Sequence, residues 1–428
     1  MRINIGILGL GTVGCGTVAV LQRNSDLIAQ RAGCELRVTR IATKTPGKPR
    51  AIPVDPALVS GDVEAVLNDP EIQIVAELIG GVDPARDYVL RAIAAGKSVV
   101  TANKELIAKH GFEILAAADR AGVDFLFEGS VGGGIPLIAP LRESLVGNRV
   151  THLMAILNGT TNYILTRMAH DGCDFDAVLR EAQALGYAET DPSADVDGFD
   201  TMYKLAILGS IAFGVPVKLE NIHREGIRKV GARDIAYARE LGYVIKLIAF
   251  GRRHENGEIE LRVHPALLPS GHPLASVNDV FNAVLVTGDA VGNVMFYGRG
   301  AGGEPTGSAV VGDLVAAARN LRNHAAGRVG PGAYAEARYK NLPEVETRFC
   351  LRMQVNDQSG TLARIAAVFG EHGVSIDSLV QKHSEGGTAE IFWVTKLTSE
   401  AAMAASLDAF RHLEAVVEVS SVLRVEGE

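Results

Sequence analysis

No part of the 428-residue chain strings together the roughly 18 apolar residues a membrane helix needs, and no basic segment with a long apolar run behind it opens the chain. Neither a membrane partner nor export is expected, and the cytoplasm is the expected compartment. A basic surplus is also missing. The 42 Lys and Arg stand against 50 Asp and Glu, a net charge of −8, with no basic stripe to follow a phosphate backbone, so nucleic acid is not an expected partner. Cysteine is scarce. Cys15, Cys34, Cys173 and Cys350 are scattered, with no CxxC pair and no histidine at ligand spacing, which excludes a disulfide framework and a zinc site and leaves reduced structural thiols.

What the chain does have is ordinary globular stock, 47% hydrophobic and 21% charged, in a length that suggests about three domains. Residues 2–8 (RINIGIL) are a short apolar run that stops at Gly9, and helical periodicity follows to Gly33. Residues 35–42, 73–79 and 97–100 read as further buried strands, with a helix over 84–95 between the last two. This alternation predicts an α/β fold with a parallel sheet and right-handed crossovers. After a strand at 123–127 the pattern breaks at Glu128-Gly129-Ser130-Val131-Gly132-Gly133-Gly134, where the first domain is expected to end.

Strands and helices are mixed from about 136 to 307, a stretch that includes the Gly-rich run 298–307. A helix over about 308–325 is expected to pack back on the first domain. Gly and Pro mark a linker at 331–347. The tail from 348 reads as βαββαβ, a ferredoxin-like order, and the linker suggests a module whose loss need not unfold the rest. The expected division is thus a dinucleotide-binding Rossmann domain over 1–135, completed by about 308–330, an α+β catalytic domain over 136–307, and the C-terminal module over 348–428.

Gly9-Leu10-Gly11-Thr12-Val13-Gly14 joins the first strand to the first helix. Glycines at this spacing give a tight turn, a close approach of backbone to pyrophosphate and close packing of helix on strand, while the helix N-terminus supplies donors. The pattern alone is weak, and its strand-turn-helix setting is what makes it specific. At the end of the second strand, Arg40-Ile41-Ala42-Thr43-Lys44 has no acid for a ribose 2′-hydroxyl. Arg40 and Lys44 suit a 2′-phosphate and NADP, with NAD as the other choice; the plainer alternative is two solvated charges. Thr101-Ala102-Asn103-Lys104 follows the strand at 97–100, which aims Lys104 at the crevice outside the strand ends unless it is a helix-entry lysine facing water.

Between Gly186 and Lys204 five carboxylates, Glu189, Asp191, Asp195, Asp197 and Asp200, precede one lysine. Asp200 and Lys204 stand four apart on a helix that is otherwise apolar through Gly214. An exposed ion pair is the usual meaning of that spacing. An apolar helix is buried, however, and a buried lysine beside a carboxylate is how a general acid or base is built.

The run from Ala182 to Lys204, with Gly186, Asp191-Pro192, Asp195, Gly198, Asp200 and Lys204 at their spacings, resembles the signature of homoserine dehydrogenases. So do GLGTVG, TANK, NGTTNYI and GAGGEPT, in the same order along the whole chain, and the tail with Asp357 to Leu362 resembles an ACT domain. The resemblance implies NAD(P)-dependent interconversion of L-homoserine and L-aspartate 4-semialdehyde in threonine, methionine and isoleucine biosynthesis. It implies that Lys204 is the acid/base and Lys104 a second catalytic lysine that also borders the cofactor. Glu189 would hold the substrate ammonium, Asp200 would bind or orient the reacting hydroxyl, and Asp195 would support both. Gly9, Gly11, Thr12, Val13, Gly14, Arg40, Lys44 and Gly302 would bind the cofactor. A sodium ion would lie in the loop of Glu128, Val131, Gly133 and Ile135, largely on backbone carbonyls. The resemblance further implies a homodimer or homotetramer and threonine as allosteric effector. Another Rossmann-fold amino-acid or semialdehyde dehydrogenase, or a non-catalytic amino-acid sensor, would share GLGTVG or the tail but has no need of Glu189, Asp200 and Lys204 together.

Overall fold

The computed structural model describes residues 1–327, 334–383 and 386–427. The chain divides into two compact units, one of Met1–Leu153, Tyr203–Glu220 and Phe281–Ala337, the other of Met154–Met202, Asn221–Val280 and Arg338–Glu428. No helix of the described residues is long and apolar enough to cross a membrane.

In the first unit six parallel strands lie in the order Val59–Ser60, Glu35–Ala42, Arg2–Leu8, Ile74–Glu77, Ser98–Thr101, Phe125–Leu126. This is the doubly wound order of a dinucleotide-binding sheet, whose direction of winding reverses between the strands Arg2–Leu8 and Ile74–Glu77. Ile3, Ile5 and Ile7 on one face and Gly6 and Leu8 on the other are buried, as a sheet covered by helices on each side requires.

The helix over the Gly-rich run begins at Gly303 and ends at Arg322, so Gly303-Glu304-Pro305-Thr306 is its first turn rather than the loop before it. It packs on the helix Thr12–Arg23 at backbone distance. A Cβ on Gly16 would lie 1.9 Å from the Gly303 carbonyl oxygen, and one on Gly307 would lie 2.5 Å from the Gly16 carbonyl carbon. Val310, Leu314 and Ala317 of that helix share one core with Ile5, Ile7, Val18 and Leu21. Phe281–Gly288 and Gly292–Arg299 add an antiparallel hairpin.

The second unit holds the helices Gly159–Asp171 and Phe175–Ala184 and the long antiparallel hairpin of Tyr243–Arg253 with Ile259–Pro269. Its C-terminal part has the expected βαββαβ order: Glu346–Asn356, helix Thr361–Glu371, Ile376–His383, Thr388–Thr395, helix Glu400–Arg411, Val416–Val425. Of the expected linker, residues 331–333 lie outside the described residues, and Leu342–Glu344 form a short 3-10 turn.

The tail is more than a module on a tether, because Val416–Val425 pairs with Glu346–Asn356 on one side and, at Arg424 and Val425, with Ala266 and Leu267 on the other. Charge pairs seal that junction. Arg262, 2% exposed, meets Glu426 at 2.9 Å, and Arg424 meets Glu225 at 2.9 Å and Glu400 at 3.0 Å. Cutting the chain ahead of the tail would take Glu426 from Arg262 and bare the edge of the strand Ile259–Pro269, so the linker alone does not make the tail separable.

Candidate functional site

The GLGTVG turn uses each glycine differently. Gly9 has φ +102°, and a Cβ there would lie 2.5 Å from the Leu78 carbonyl oxygen, while one on Gly14 would lie 2.2 Å from that of Gly9. Gly11 caps the helix Thr12–Arg23, and a Cβ on it would meet nothing within 4 Å. The turn is therefore crowded on its inner side and open at Gly11 and exposed Thr12, where helix N–H groups are left without intrahelical partners. An anionic pyrophosphate matches that opening, and the residues present fit a dinucleotide. Gly302, with φ +122°, caps the helix Gly303–Arg322, and a Cβ on Gly303 would come 2.9 Å from the Thr12 carbonyl oxygen, which brings Gly302 and Thr12 to one edge.

Of the two cations expected at the second strand's end, Arg40 donates through Nε to Asp69 at 2.6 Å. Lys44, two residues past the strand Glu35–Ala42, is exposed.

At the carboxyl ends of the next two strands lies a polar cluster that the sequence did not signal. Glu77, fully buried, accepts from Thr101 Oγ1 at 2.7 Å and from the Ile79 amide at 2.9 Å. Burial raises its carboxyl above the ordinary range against the pull of those bonds. Thr101 Oγ1 also accepts from the Asn103 amide, and Asn103 donates to the Gly81 carbonyl at 2.6 Å and caps the helix Lys104–Ala121 at Leu106. Lys104 is thus the first residue of a helix that starts just past the carboxyl end of the strand Ser98–Thr101, and it is half-buried.

The loop expected to hold sodium is built around Glu128. Its carboxylate accepts the amides of Leu137 at 2.5 Å, Ile138 at 2.8 Å and Ala139 at 2.7 Å, so both oxygens are committed to a helix start. The Glu128 amide donates to Asp313 at 2.7 Å, whose carboxyl burial pushes well above its ordinary value. Val131 and Ile135 are buried, Gly132 and Gly133 have φ of +73° and +56°, and among the described residues no three His, Cys, Asp or Glu side chains converge on a metal position. The Glu128 side chain is thus engaged by backbone amides, so it is not the part of this loop that offers itself to a cation.

In the second unit Asn158 begins the helix Gly159–Asp171, its Oδ1 accepting the Thr161 amide at 2.8 Å. Its Nδ2 donates to Asp195 Oδ1 at 2.7 Å and Asp200 Oδ2 at 2.9 Å. A neutral amide thereby holds two carboxylates at one point and offsets their repulsion. Asp195 sits on the short helix Ser193–Val196 and Asp200 opens the helix Phe199–Phe213, 5% exposed, with Lys204 one turn on and 7% exposed. The expected burial of an apolar helix carrying one lysine is what the structure shows, and the exposed ion pair is excluded.

Glu189 is exposed. Among the described residues no hydrogen bond joins its carboxylate to the Asn158 cluster, although Thr160 donates to the nearby Tyr187 carbonyl at 2.7 Å and Gln183 to that of Glu189 at 3.0 Å. Asn158 and Glu77 are the residues sequence reasoning missed. The first sat in a conspicuous motif, NGTTNYI, where an Asn before a helical run is a cap signal; the second, a lone acid in an apolar strand, had only its strand-end position to mark it.

A nucleotide-binding sheet, a buried lysine on a carboxylate-bearing helix and a βαββαβ tail define a nicotinamide-dependent oxidoreductase of small amino-acid substrates. Family models match in the same order. "Homoserine dehydrogenase, NAD binding domain" covers residues 9–128, "Homoserine dehydrogenase" 136–315 and "ACT domain" 351–411. The chain is 48% identical to the homoserine dehydrogenase of Synechocystis sp. over 433 residues, 99% of this chain and 100% of that one. It is 42% identical to that of Bacillus subtilis, covering 99% and 98%. The crystal structure of a homoserine dehydrogenase from Thiobacillus denitrificans superposes with a TM-score of 0.93 at 45% identity, covering 100% of this chain and 98% of that one. A hyperthermophilic archaeal homoserine dehydrogenase solved in complex with NADPH is 29% identical with a TM-score of 0.62, over 75% of this chain and 98% of that one. This chain belongs to the homoserine dehydrogenase family.

Proposed function

We propose that the chain interconverts L-homoserine and L-aspartate 4-semialdehyde with NADP, and that Lys204 carries the proton of the reacting hydroxyl. The observation that bears most weight is the Asn158 amide holding Asp195 and Asp200 together on the approach to the Lys204 helix. A nicotinamide cofactor held along Gly11, Thr12 and Gly302 would supply the acceptor for the hydride of the carbinol carbon. Lys204 accepts the hydroxyl proton as that hydride leaves and returns it in the reverse direction, and a nearby cation stabilises the oxygen as charge develops on it. Lys104, at the crevice, adds a second positive charge. Asp200, fixed by Asn158, orients the hydroxyl or the substrate amine, Asp195 supports it, and exposed Glu189 meets the ammonium.

The 2′-phosphate preference falls chiefly on Lys44, because Arg40 is paired with Asp69. A sodium ion in the loop of Glu128 to Ile135 would be held by carbonyls alone. Threonine is the effector we assign to the turn Asp357 to Leu362. Gly360 caps the helix Thr361–Glu371 there at φ +89°, and a Cβ on it would meet nothing within 4 Å, so a carboxylate has room at the helix start. The setting is a cytoplasmic oligomer in the synthesis of threonine, methionine and isoleucine. Steady-state rates with homoserine, run with NADP and NAD in parallel and with and without threonine, test the proposal. Turnover with homoserine that prefers NADP and falls with threonine supports it, and no turnover with either cofactor overturns it.

A further inference from the structure

Lys246 lies on the strand Tyr243–Arg253 and is 1% exposed. Its Nζ donates to three neutral oxygens: Asn162 Oδ1 at 3.1 Å, the Val277 carbonyl at 2.6 Å and Asn278 Oδ1 at 3.0 Å. A buried ammonium is costly even with every donor matched, and among the described residues no carboxylate bonds to this one. The cage joins three elements. Asn162 belongs to the helix Gly159–Asp171 and itself donates to the Val277 carbonyl at 3.1 Å. Further along, the Asp279 amide donates to Thr166 Oγ1 at 3.2 Å, and Gly159 sits so close to Val280 that a Cβ there would lie 2.8 Å from its carbonyl oxygen. Asn162 is one turn past Asn158, and its amide donates to the Asn158 carbonyl at 3.2 Å.

We propose that Lys246 is a positioning residue for the substrate site: by holding Asn162 and the segment 277–279 it fixes the helix start at Asn158, and through Asn158 the places of Asp195 and Asp200. This rests on the reading that Asp200 and Asp195 face the substrate. An apolar residue would fill the space of Lys246 but take away the one donor that ties Asn162, Val277 and Asn278 together, leaving the first turn free to shift.

The ammonium is poised near its limit. Burial brings Lys246 down to about 8, opposed by the charge of Asp279. The facing strand places Pro265, Ala266 and Leu267 opposite it. On the neighbouring helix Ala232–Glu240, Arg233 and Asp234 are paired with Glu390 and Arg352, Glu240 with Lys382, and Arg239 is exposed. Neutral Lys246 has two N–H donors for three acceptors, so the cage loosens above that pH.

The experiment measures homoserine KM and kcat across the alkaline range, NADPH dissociation by fluorescence, and melting temperature, for the full-length wild type, Lys246→Met, Asn162→Asp and Asn158→Ala. Lys246→Met is expected to raise homoserine KM about tenfold, the cost of one broken buried network, with NADPH affinity within about twofold. Asn162→Asp keeps the shape and gives the lysine a carboxylate, so the alkaline rise in KM is expected at higher pH. The substrate's own ammonium and Lys204 have no reason to move with it. Lys246→Met that melts earlier yet keeps wild-type KM and kcat while folded would overturn the proposal. If that variant does not fold, Asn162→Asp with an unmoved pH profile overturns it instead. An Asn158→Ala variant with wild-type KM removes the underlying site reading as well, whereas loss in Asn158→Ala beside an unaffected Lys246→Met removes only the role of Lys246.

Discussion

Nδ2 of Asn158 stands 2.9 Å from Oδ2 of Asp200, so a residue that starts one helix fixes the carboxylate at the start of another, the one that carries Lys204. Removing that amide should cost more than a cap. Asn158→Ala gives up about 1 kcal/mol of helix capping and takes away the donor that Asp195 and Asp200 share, so homoserine kcat/KM is expected to fall on the order of 10- to 100-fold. Cofactor binding should be unaffected. Steady-state kinetics beside an NADPH titration checks this, and a variant hurt only in NADPH affinity would place Asn158 elsewhere in the enzyme's work.

Lys204→Ala should lower kcat by two or more orders of magnitude, since positioned proton transfer contributes about 10² to 10⁴. NADPH affinity should change little. Near-full turnover in that variant would make Lys204 a structural residue of its helix and remove the proposed acid/base.

Cofactor choice is expected to follow Lys44. With Arg40 held by Asp69 at 2.6 Å, Lys44→Ala should erode the kcat/KM preference for NADP over NAD. Arg40→Ala should act less on that ratio. An unchanged ratio in Lys44→Ala, with a changed one in Arg40→Ala, would show that the guanidinium leaves Asp69 when the phosphate arrives.

Glu225 supplies an acid-side test of the junction between the tail and the hairpin. Burial alone would raise its carboxyl, but His223 and Arg424 outweigh that and bring it down to about 2. A carboxylate lowered on folding stabilises above its unfolded value of about 4.5 and loses that contribution as pH falls toward 2. The melting-temperature gap between wild type and Glu225→Gln should therefore be widest above pH 4.5 and close as pH drops through that window. A gap constant from neutral pH to the acid limit would mean that the charge of Glu225 contributes nothing.

Threonine sensitivity is best probed by a point change, since truncation ahead of the tail strips Arg262 and Glu225 of partners. A tryptophan in place of Ser359, in the turn before the helix Thr361–Glu371, should block a ligand at that helix start and abolish inhibition with kcat preserved. Wild-type inhibition in Ser359→Trp would move the effector to another surface.

The nucleotide-binding half was legible because its signals are local: an apolar strand, glycines at fixed offsets, then helical periodicity. The long hairpin was not. Ile259–Pro269 is buried along nearly its whole length yet contains Glu260, Arg262 and His264, which look like surface in sequence because Glu426, which meets Arg262 and His264, is some 160 residues away in the chain. Lys246 was hidden for the same reason, its three acceptors being supplied by 162, 277 and 278. Asp200 and Lys204 stood out because their spacing and their helix's apolar character are both readable within one window, whereas the amide that organises Asp200 comes from 42 residues upstream.

The strand Val416–Val425 lies between partners that are all made before it, Ile259–Pro269 on one side and Glu346–Asn356 on the other. During translation the second unit therefore waits with a gap in its sheet and with Arg262 uncovered, until the ribosome has released residues past 426. Its sheet therefore closes last, while the sheet of the first unit, finished at Leu126, has all of its strands early in synthesis.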